Sequence, residues 1–248
     1  MLYPSATVII LFFVLHWYMS LFVQTFYLHR YAAHAMFTMS PFWEKAFHLL
    51  TFVAQGSSYL SPYAYGVLHR LHHAYADTEQ DPHSPKYDQS LFSMMWRTKS
   101  IYHEIFFRRL KVEPRFTQGV PSWSGFERFA DAWATRIFWG VLYSLVYFLF
   151  APSYWWYLLL PLHYVMGPLH GAIINWYAHK YGYRNYEVKD TSRNMIPVEL
   201  LVMGEGLHNN HHARSNRANF AVKWFEFDPT WPIIRLLHGL RIIRLKAA

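Results

Sequence analysis

Two long stretches of the chain carry no Asp, Glu, Lys or Arg, and they limit the fold more than any other feature. They are residues 1–29 and residues 137–179. A helix crosses a bilayer with roughly 20 apolar residues, so the first stretch predicts one transmembrane helix, from Ser5 to Leu28. The second stretch is long enough for two helices, with Ala151-Pro152-Ser153 as the turn between them.

The second stretch therefore predicts a helical hairpin, about Trp133–Phe150 and about Tyr154–Ala178, with a kink at Gly167-Pro168 in its second arm.

Basic residues predict the orientation of the chain in the membrane. Arg30 directly follows the first predicted span, and eleven of the 23 Lys and Arg residues lie in 180–248. Basic residues concentrate on the cytoplasmic side. The N-terminus is thus expected outside, and the segments after each span are expected in the cytoplasm.

Histidines occur in tight groups just beyond these predicted spans. In an H-x-x-H-H group the side chains at i, i+3 and i+4 share one helix face. Neutral imidazole is the commonest protein metal ligand and suits iron, copper and zinc. Nine histidines exceed the ligands of one metal, so the pattern favours two ions. The groups are His29 with His34, His69 with His72 and His73, His179 alone, and His208 with His211 and His212.

The remaining histidines are scattered, and a structural or hydrogen-bonding role is the interpretation for each of them. They are His16, His48, His83, His103, His163, His170 and His238.

Residues 35–68 are apolar enough to suggest a further span, but the histidine groups argue against one. A single crossing would separate the first two groups, and two crossings need about 40 residues, whereas 34 lie between His34 and His69. Helices that lie on or dip into the membrane interface are expected here. At the other end, Ile233 to Leu245 has amphipathic spacing and predicts a helix on the membrane surface.

Several motifs resemble those of the membrane fatty acid desaturases, most closely the acyl-CoA (stearoyl-CoA, delta-9) type. The resemblance runs from about His29 to the end of the chain. It includes the histidine boxes, the run His73-Ala-Tyr-Ala-Asp-Thr-Glu-Gln-Asp-Pro-His83, the segment Asn175-x-x-x-His179-x-x-Gly182, the segment Gly204-Glu-Gly-Leu-His-Asn-Asn-His-His212 and Trp224-Phe-Glu-Phe-Asp228.

The resemblance implies nine metal-ligating histidines, with Asn175 contributing through a bound water. Glu205, Asp77 and Asp81 are expected to orient histidines or contact substrate. Removal of hydrogen from an unactivated alkyl chain needs a metal–oxygen oxidant, which indicates two iron ions with O2 as co-substrate. The nine histidines that the resemblance implies as metal ligands are His29, His34, His69, His72, His73, His179, His208, His211 and His212.

The expected architecture is an all-α integral membrane protein, one domain over residues 1–248. It has about three transmembrane helices, interfacial helices, and a cytoplasmic helical cap that holds the di-iron site. Members of the family usually carry two spans before the first histidine box, whereas a single span fits here.

The chain has no cysteine, which excludes disulfides and cysteine-ligated clusters. Electrons are therefore expected from a separate donor, such as a ferredoxin or cytochrome b5 with its reductase. The net charge of +8 is dispersed between apolar runs. Anionic lipid headgroups, or the phosphates of a substrate such as the CoA of a fatty acyl-CoA, are thus favoured as partners over nucleic acid.

Two other functions remain compatible with the boxes. A membrane di-iron hydroxylase uses similar boxes and leaves an alcohol. A metal transporter or sensor should place its ligands inside the spans, along a path. The preferred hypothesis is an O2-dependent desaturase that introduces a cis double bond, at the delta-9 position, into an acyl-CoA chain.

Overall fold

The computed structural model describes residues 4–246, and helices dominate it. A two-stranded antiparallel ribbon joins the strands β1 (Phe37–Met39) and β2 (Ile243–Leu245). The helices are α1 (Ala6–Val23), α2 (Pro41–Gln55), α3 (Pro62–Tyr75), α4 (Leu91–Phe106), α5 (Pro114–Thr117), α6 (Ser124–Asp131), α7 (Trp133–Phe150), α8 (Leu160–Tyr164), α9 (Met166–Tyr177), α10 (His208–Ala213) and α11 (Thr230–Gly239).

Within the described residues, two continuous helical segments are long and apolar enough to cross a membrane, Ala6–Ala33 and Trp133–Phe150. A third candidate is the pair Tyr154–Tyr164 and Met166–Tyr177, which is bent by 73°. The two or three candidate spans confirm the predicted membrane architecture. The bend lies at Val165, slightly before the predicted kink, because α8 ends there and α9 begins at the next residue.

The first span changes its helical form before it ends. Beyond α1 the chain continues as a π-helix over Gln24–Ala33. The amide of His34 donates to the carbonyl of His29 at 3.1 Å, an i→i+5 hydrogen bond. Such a wide turn brings residues five apart onto the same face. This geometry explains why the histidines of the first box lie at i and i+5, whereas those of the α-helical boxes lie at i, i+3 and i+4.

The segment between the first two boxes forms one short helix and a 3-10 turn. At 15 residues, α2 is short for a span, and it packs against α1. The 3-10 turn Gly56–Ser58 follows it. There the Ser57 amide donates to the Tyr143 hydroxyl on α7 at 3.4 Å, and the Ser57 hydroxyl donates to the His163 carbonyl on α8 at 3.5 Å. Ser61 then caps α3 by accepting the amide of Ala64 at 3.1 Å.

Close helix packing positions the second box against the first. Gly66 of α3 lies against the π-helix, and a Cβ built at this glycine would be 3.1 Å from the Ala32 carbonyl oxygen. One turn later, the Arg70 side chain donates from Nε to the Ala33 carbonyl at 2.6 Å. The absence of a side chain at Gly66 therefore lets α3 approach the helix that carries His29 and His34.

The C-terminal region differs from its prediction in two ways. The expected surface helix over Ile233–Leu245 ends at Gly239, and Ile243–Leu245 is instead the strand that pairs with β1. The amphipathic pattern missed this because strand pairing joins residues about 200 positions apart. Residues 178–207 also form turns and isolated bridges, such as Tyr183 with Asn194, instead of helices. The cap is thus only partly helical.

Candidate metal centre

The nine histidines predicted as ligands come together in two groups. Within each group, one ring nitrogen from every member lies within 4.8 Å of the others. All four sequence segments contribute, although they are far apart in the chain. The five-histidine group is His29, His34, His69, His73 and His211, and the four-histidine group is His72, His179, His208 and His212.

Local helix geometry distributes each box between the two groups. On α3, His69 and His73 are one turn apart and belong to the five-histidine group, whereas the neighbouring His72 turns into the other. On α10, His211 and His212 are likewise divided. Each H-x-x-H-H box therefore contributes histidines to both groups, so the position of one group depends on that of the other. His179 lies just after α9, two residues beyond its last residue Tyr177.

The Nε2 atoms of the five-histidine group face a common point. His211 Nε2 is 3.0 Å from His29 Nε2 and 2.9 Å from His73 Nε2. His34 and His69 approach each other at 2.9 Å through the same atoms. Imidazole ligands about 2.0–2.1 Å from an ion and at right angles to one another are about 2.9 Å apart. The spacing therefore fits an ion at the centre of this group.

The four-histidine group gives a second test of fit. His72 Nδ1 lies 2.9 Å from Asp81 Oδ1, and His212 Nδ1 lies 2.9 Å from Asp190 Oδ2. A carboxylate at Nδ1 fixes the tautomer in which Nδ1 carries the proton. Both Nε2 atoms then bear lone pairs, and they face each other at 3.3 Å. Two acceptors so close together need a cation between them.

The three acidic residues predicted to support the site all contact its histidines. Glu205 Oε2 lies 2.6 Å from His29 Nδ1, and Asp81 holds His72. Asp77 Oδ2 is 3.6 Å from His179 Nδ1 and accepts from the Thr191 hydroxyl at 2.7 Å. Carboxylates in this position orient imidazoles and raise their basicity toward a metal.

The protonation of these groups suits metal binding. Burial alone would raise the pKa of Asp81, but the facing His72 imidazole brings that pKa below its usual value. For Asp77, the His179 contact likewise outweighs burial and lowers the pKa. Burial lowers the pKa of His211 and His212 well below 6.5. Asp77 and Asp81 are thus ionised at physiological pH, and His211 and His212 are neutral, which is the metal-binding form of these residues.

Three residues at the site were not singled out from the sequence. Asp190 holds His212 but lies in an irregular segment without a motif. His83, assigned a structural role, stacks on His72 with ring centroids 4.2 Å apart. The sequence feature that could have identified His83 as a site residue is its place in the run Asp81-Pro82-His83. Arg30 is fully buried and lies 3.3 Å from Glu205 and 2.8 Å from Asp228, which only the folded chain reveals.

A large cavity of about 1110 Å³ reaches the two groups. The part of its wall beside the histidine groups is formed by His69, His208, Glu205 and Asn175. Lys99 and Arg128 also line the cavity, and both are exposed to solvent. Most of the remaining wall is apolar or aromatic, with residues such as Leu21, Leu60, Met95, Phe106, Trp133 and Ile174. Such a cavity accommodates a long apolar ligand with an anionic end.

Fold and site together define a membrane protein with a histidine-rich candidate metal centre beside a large, mostly apolar cavity. Comparison with known proteins gives the family. The fatty acid desaturase family profile matches residues 4–239, and the chain belongs to this family.

Three relatives illustrate the range of similarity. A "Delta-9 desaturase-like 5 protein" of Arabidopsis thaliana is 32% identical over 92% of this chain and 73% of its own length. An "sn-1 stearoyl-lipid 9-desaturase" of Anabaena variabilis is 29% identical over 86% and 74%. An "Acyl-CoA C20 Delta5-desaturase" of Anemone leveillei is 28% identical over 92% and 70%. The chain is therefore an oxidoreductase that acts on fatty acyl chains.

Proposed function

We propose that this desaturase introduces a cis double bond at the delta-9 position of a saturated acyl-CoA, using O2 and two iron ions. The observation that carries the proposal is the cavity, which leads from exposed cations to the two histidine groups. Delta-9 activity is supported by the names of several relatives. The reaction balances as R-CH2-CH2-R′ + O2 + 2e⁻ + 2H⁺ giving R-CH=CH-R′ + 2H2O.

The nine histidines would hold the ions, five around one and four around the other. Bound irons would supply the oxidising power, drawn from O2, that an unactivated CH2–CH2 unit requires. Asp81 and Asp190 accept the Nδ1 protons of His72 and His212, so that the Nε2 lone pairs of these histidines point inward. Glu205 lies 2.6 Å from Nδ1 of His29. Asn175, which lines the cavity beside His208, would complete the four-histidine ion through a water.

The cavity wall would select the reacting carbons. An alkyl chain has no polar group near its ninth carbon, so rigid placement has to determine which CH2–CH2 unit reacts. The wall is mostly apolar, which suits an acyl chain. The exposed Lys99 and Arg128 side chains suit the phosphates of CoA. A membrane-bound, multi-pass chain with this site on the cytoplasmic side would receive electrons from a separate ferredoxin or cytochrome b5.

Lipid profiling tests this function. The wild type and His72→Ala are expressed in a host that supplies an electron donor, and total fatty acids are analysed by mass spectrometry after derivatisation of double bonds. New delta-9 monounsaturated chains in the wild type alone are expected. Hydroxylated chains would instead establish a hydroxylase. Purified protein supplied with stearoyl-CoA or with stearoyl-phospholipid then identifies the carrier, and activity on the phospholipid alone would contradict acyl-CoA.

A further inference from the structure

Residues 196–201 form a short irregular segment, the 196–201 loop, whose polarity is the reverse of that of a loop in water. Its sequence is Ile-Pro-Val-Glu-Leu-Leu. The five apolar residues are all exposed, whereas the one charged residue, Glu199, is buried. In water the opposite arrangement is favoured, because charged side chains are hydrated and aliphatic ones are not. The outer surface of this loop is therefore aliphatic, and its charge faces the protein.

The charged residues close to the loop in sequence do not change this surface. Between positions 193 and 208 the Asp, Glu, Lys or Arg residues are Glu199 and Glu205. Both carboxylates are turned inward. Glu199 accepts the Ile196 amide at 2.9 Å, and Glu205 contacts His29 at 2.6 Å. The exposed part of the segment is thus uncharged.

The loop lies beside a membrane-spanning helix and not beyond its end. The Trp17 indole nitrogen donates to the Leu201 carbonyl at 3.1 Å. Trp17 is inside the candidate span Ala6–Ala33 and precedes His29 by twelve residues. Twelve residues of α-helix extend about 18 Å, which is more than half of a hydrocarbon layer about 30 Å thick. Even allowing for the length of the indole side chain, Leu201 is level with the hydrocarbon.

The inner side of the loop continues into a contact with a second membrane helix. Val202 is buried in a cluster with Ile174 on α9 and with Ala178 directly after it. On α1, Val14 lies one turn before Trp17 on the same helix face and is exposed. The lipid-facing surface of α1 therefore continues onto the loop, and what covers one also covers the other.

The backbone of the loop is largely prepared for an apolar environment. Four of its six carbonyls accept hydrogen bonds, namely those of Pro197, Glu199, Leu200 and Leu201. The donors are the amides of Phe227, Gly204 and Met203 and the indole of Trp17. Proline has no amide hydrogen to satisfy. Irregular backbone is tolerated at membrane depth where the protein itself satisfies its polar groups.

We propose that the 196–201 loop inserts into the hydrocarbon layer beside α1 and α9, with its exposed aliphatic side chains among the acyl chains of the lipids. Lipid then packs against the outside of the segment that leads to Glu205. The sequence alone assigned this segment to the cytoplasmic side, because it contains no run of about 20 apolar residues. The inference is independent of the proposed function, since it concerns how the chain is embedded and not what it catalyses.

Spin labelling tests the insertion, and the chain has no cysteine of its own to interfere. Leu201→Cys and, in a second protein, Val198→Cys are labelled with a nitroxide, and each full-length protein is reconstituted into phosphatidylcholine vesicles. Val141→Cys on α7 is the lipid control, and Lys86→Cys between α3 and α4 is the water control; both side chains are exposed. Electron paramagnetic resonance measures collisions with O2, which concentrates in hydrocarbon, and with a neutral nickel chelate, which stays in water.

We expect both loop labels to resemble Val141→Cys, with a ratio of O2 to nickel collisions several-fold higher than at Lys86→Cys. A ratio like that of Lys86→Cys would place the loop in water. Low collision rates with both reagents would place it in a protein interface, such as one with a second copy of the chain. Either of these two results would overturn the proposal.

A charge placed on the loop gives an independent test. Leu200→Glu, combined with the label at Val198→Cys, should raise the nickel collision rate several-fold, because a carboxylate is costly in hydrocarbon and draws the loop toward water. Leu200→Ala keeps the position apolar and should leave the collision rates unchanged. Thermal unfolding in detergent verifies that each variant is folded. An unchanged nickel collision rate in folded Leu200→Glu would contradict insertion of the loop.

Discussion

Arg30 and Asp228 form an ion pair of 2.8 Å between two fully buried side chains, at the edge of the metal centre. The guanidinium also lies 3.8 Å over the Phe220 ring and donates to the Ala218 carbonyl at 3.1 Å. Asp228 in turn accepts the backbone amides of Phe220 and Thr230, each at 3.0 Å. One arginine thereby joins the first span to the C-terminal region.

We expect Arg30→Met to destabilise the protein by about 3–5 kcal/mol, because it leaves buried carboxylates without their cation. Thermal unfolding in detergent measures this loss. Arg115→Met is the control, since the Arg115–Glu113 pair is exposed and such pairs contribute little. Equal unfolding temperatures for the two variants would contradict a stabilising role for the buried network.

Single histidine substitutions test whether each of the two histidine groups binds one metal ion. His211→Ala removes a member of the five-histidine group, and His72→Ala removes one of the four-histidine group. Each should abolish desaturation while leaving membrane insertion intact, and each should reduce the two bound metal ions toward one. Plasma mass spectrometry of purified protein gives the metal content. His238→Ala, outside both groups, should retain both ions; retention of full activity by either ligand variant would contradict a shared site.

Asp190→Asn should weaken metal binding by about 10–100-fold. The amide is isosteric, but it lacks the negative charge that polarises the Nδ1 proton of His212. Competition with a chelator measures the affinity. Glu187→Gln is a nearby exposed control, and an unchanged affinity in Asp190→Asn would show that this carboxylate only positions the chain.

Gly66→Ala should loosen the contact between α3 and the π-helix. The new Cβ would lie 2.9 Å from Val120 Cγ1 and 3.1 Å from the Ala32 carbonyl oxygen, so the helices must separate slightly. His69 would then move relative to His34, and we expect lower metal occupancy and a lower unfolding temperature. Gly125→Ala has open space around the new Cβ and should leave both quantities unchanged. Normal metal occupancy in Gly66→Ala would contradict this packing argument.

Glu199 should make the stability pH-dependent. Burial raises its pKa to about 7. The folded state therefore keeps the proton over a range in which the unfolded chain loses it, from about pH 4.5 to about pH 7. Because the unfolded state binds fewer protons there, stability falls as the pH rises, by up to about 3 kcal/mol.

Unfolding of the wild type and Glu199→Gln at pH 5 and pH 7.5 checks this dependence. The variant cannot ionise at this position, so its stability should decrease less between the two pH values. An identical pH dependence in both proteins would assign the effect to other groups.

Local sequence patterns predicted the spans and the ligand candidates, because helix periodicity and bilayer thickness act over short distances. The i, i+3, i+4 spacing of His69, His72 and His73 suffices to place three imidazoles on one face of α3. The pairing of Arg30 with Asp228, the contact of Asp190 with His212 and the strand at Ile243–Leu245 depend on residues distant in sequence. Periodicity contains no information about such contacts.

The π-helix gives the first box a further meaning. Its two histidines have four residues between them, which matches the wide turn of a π-helix. In the narrower turn of an α-helix, histidines with three residues between them would be aligned. Deleting one residue between His29 and His34 would therefore not simply shorten the motif. It would favour conversion of Gln24–Ala33 to an ordinary α-helix, and so rotate every residue beyond the deletion around the helix axis. Motif spacing and backbone form are two expressions of the same constraint.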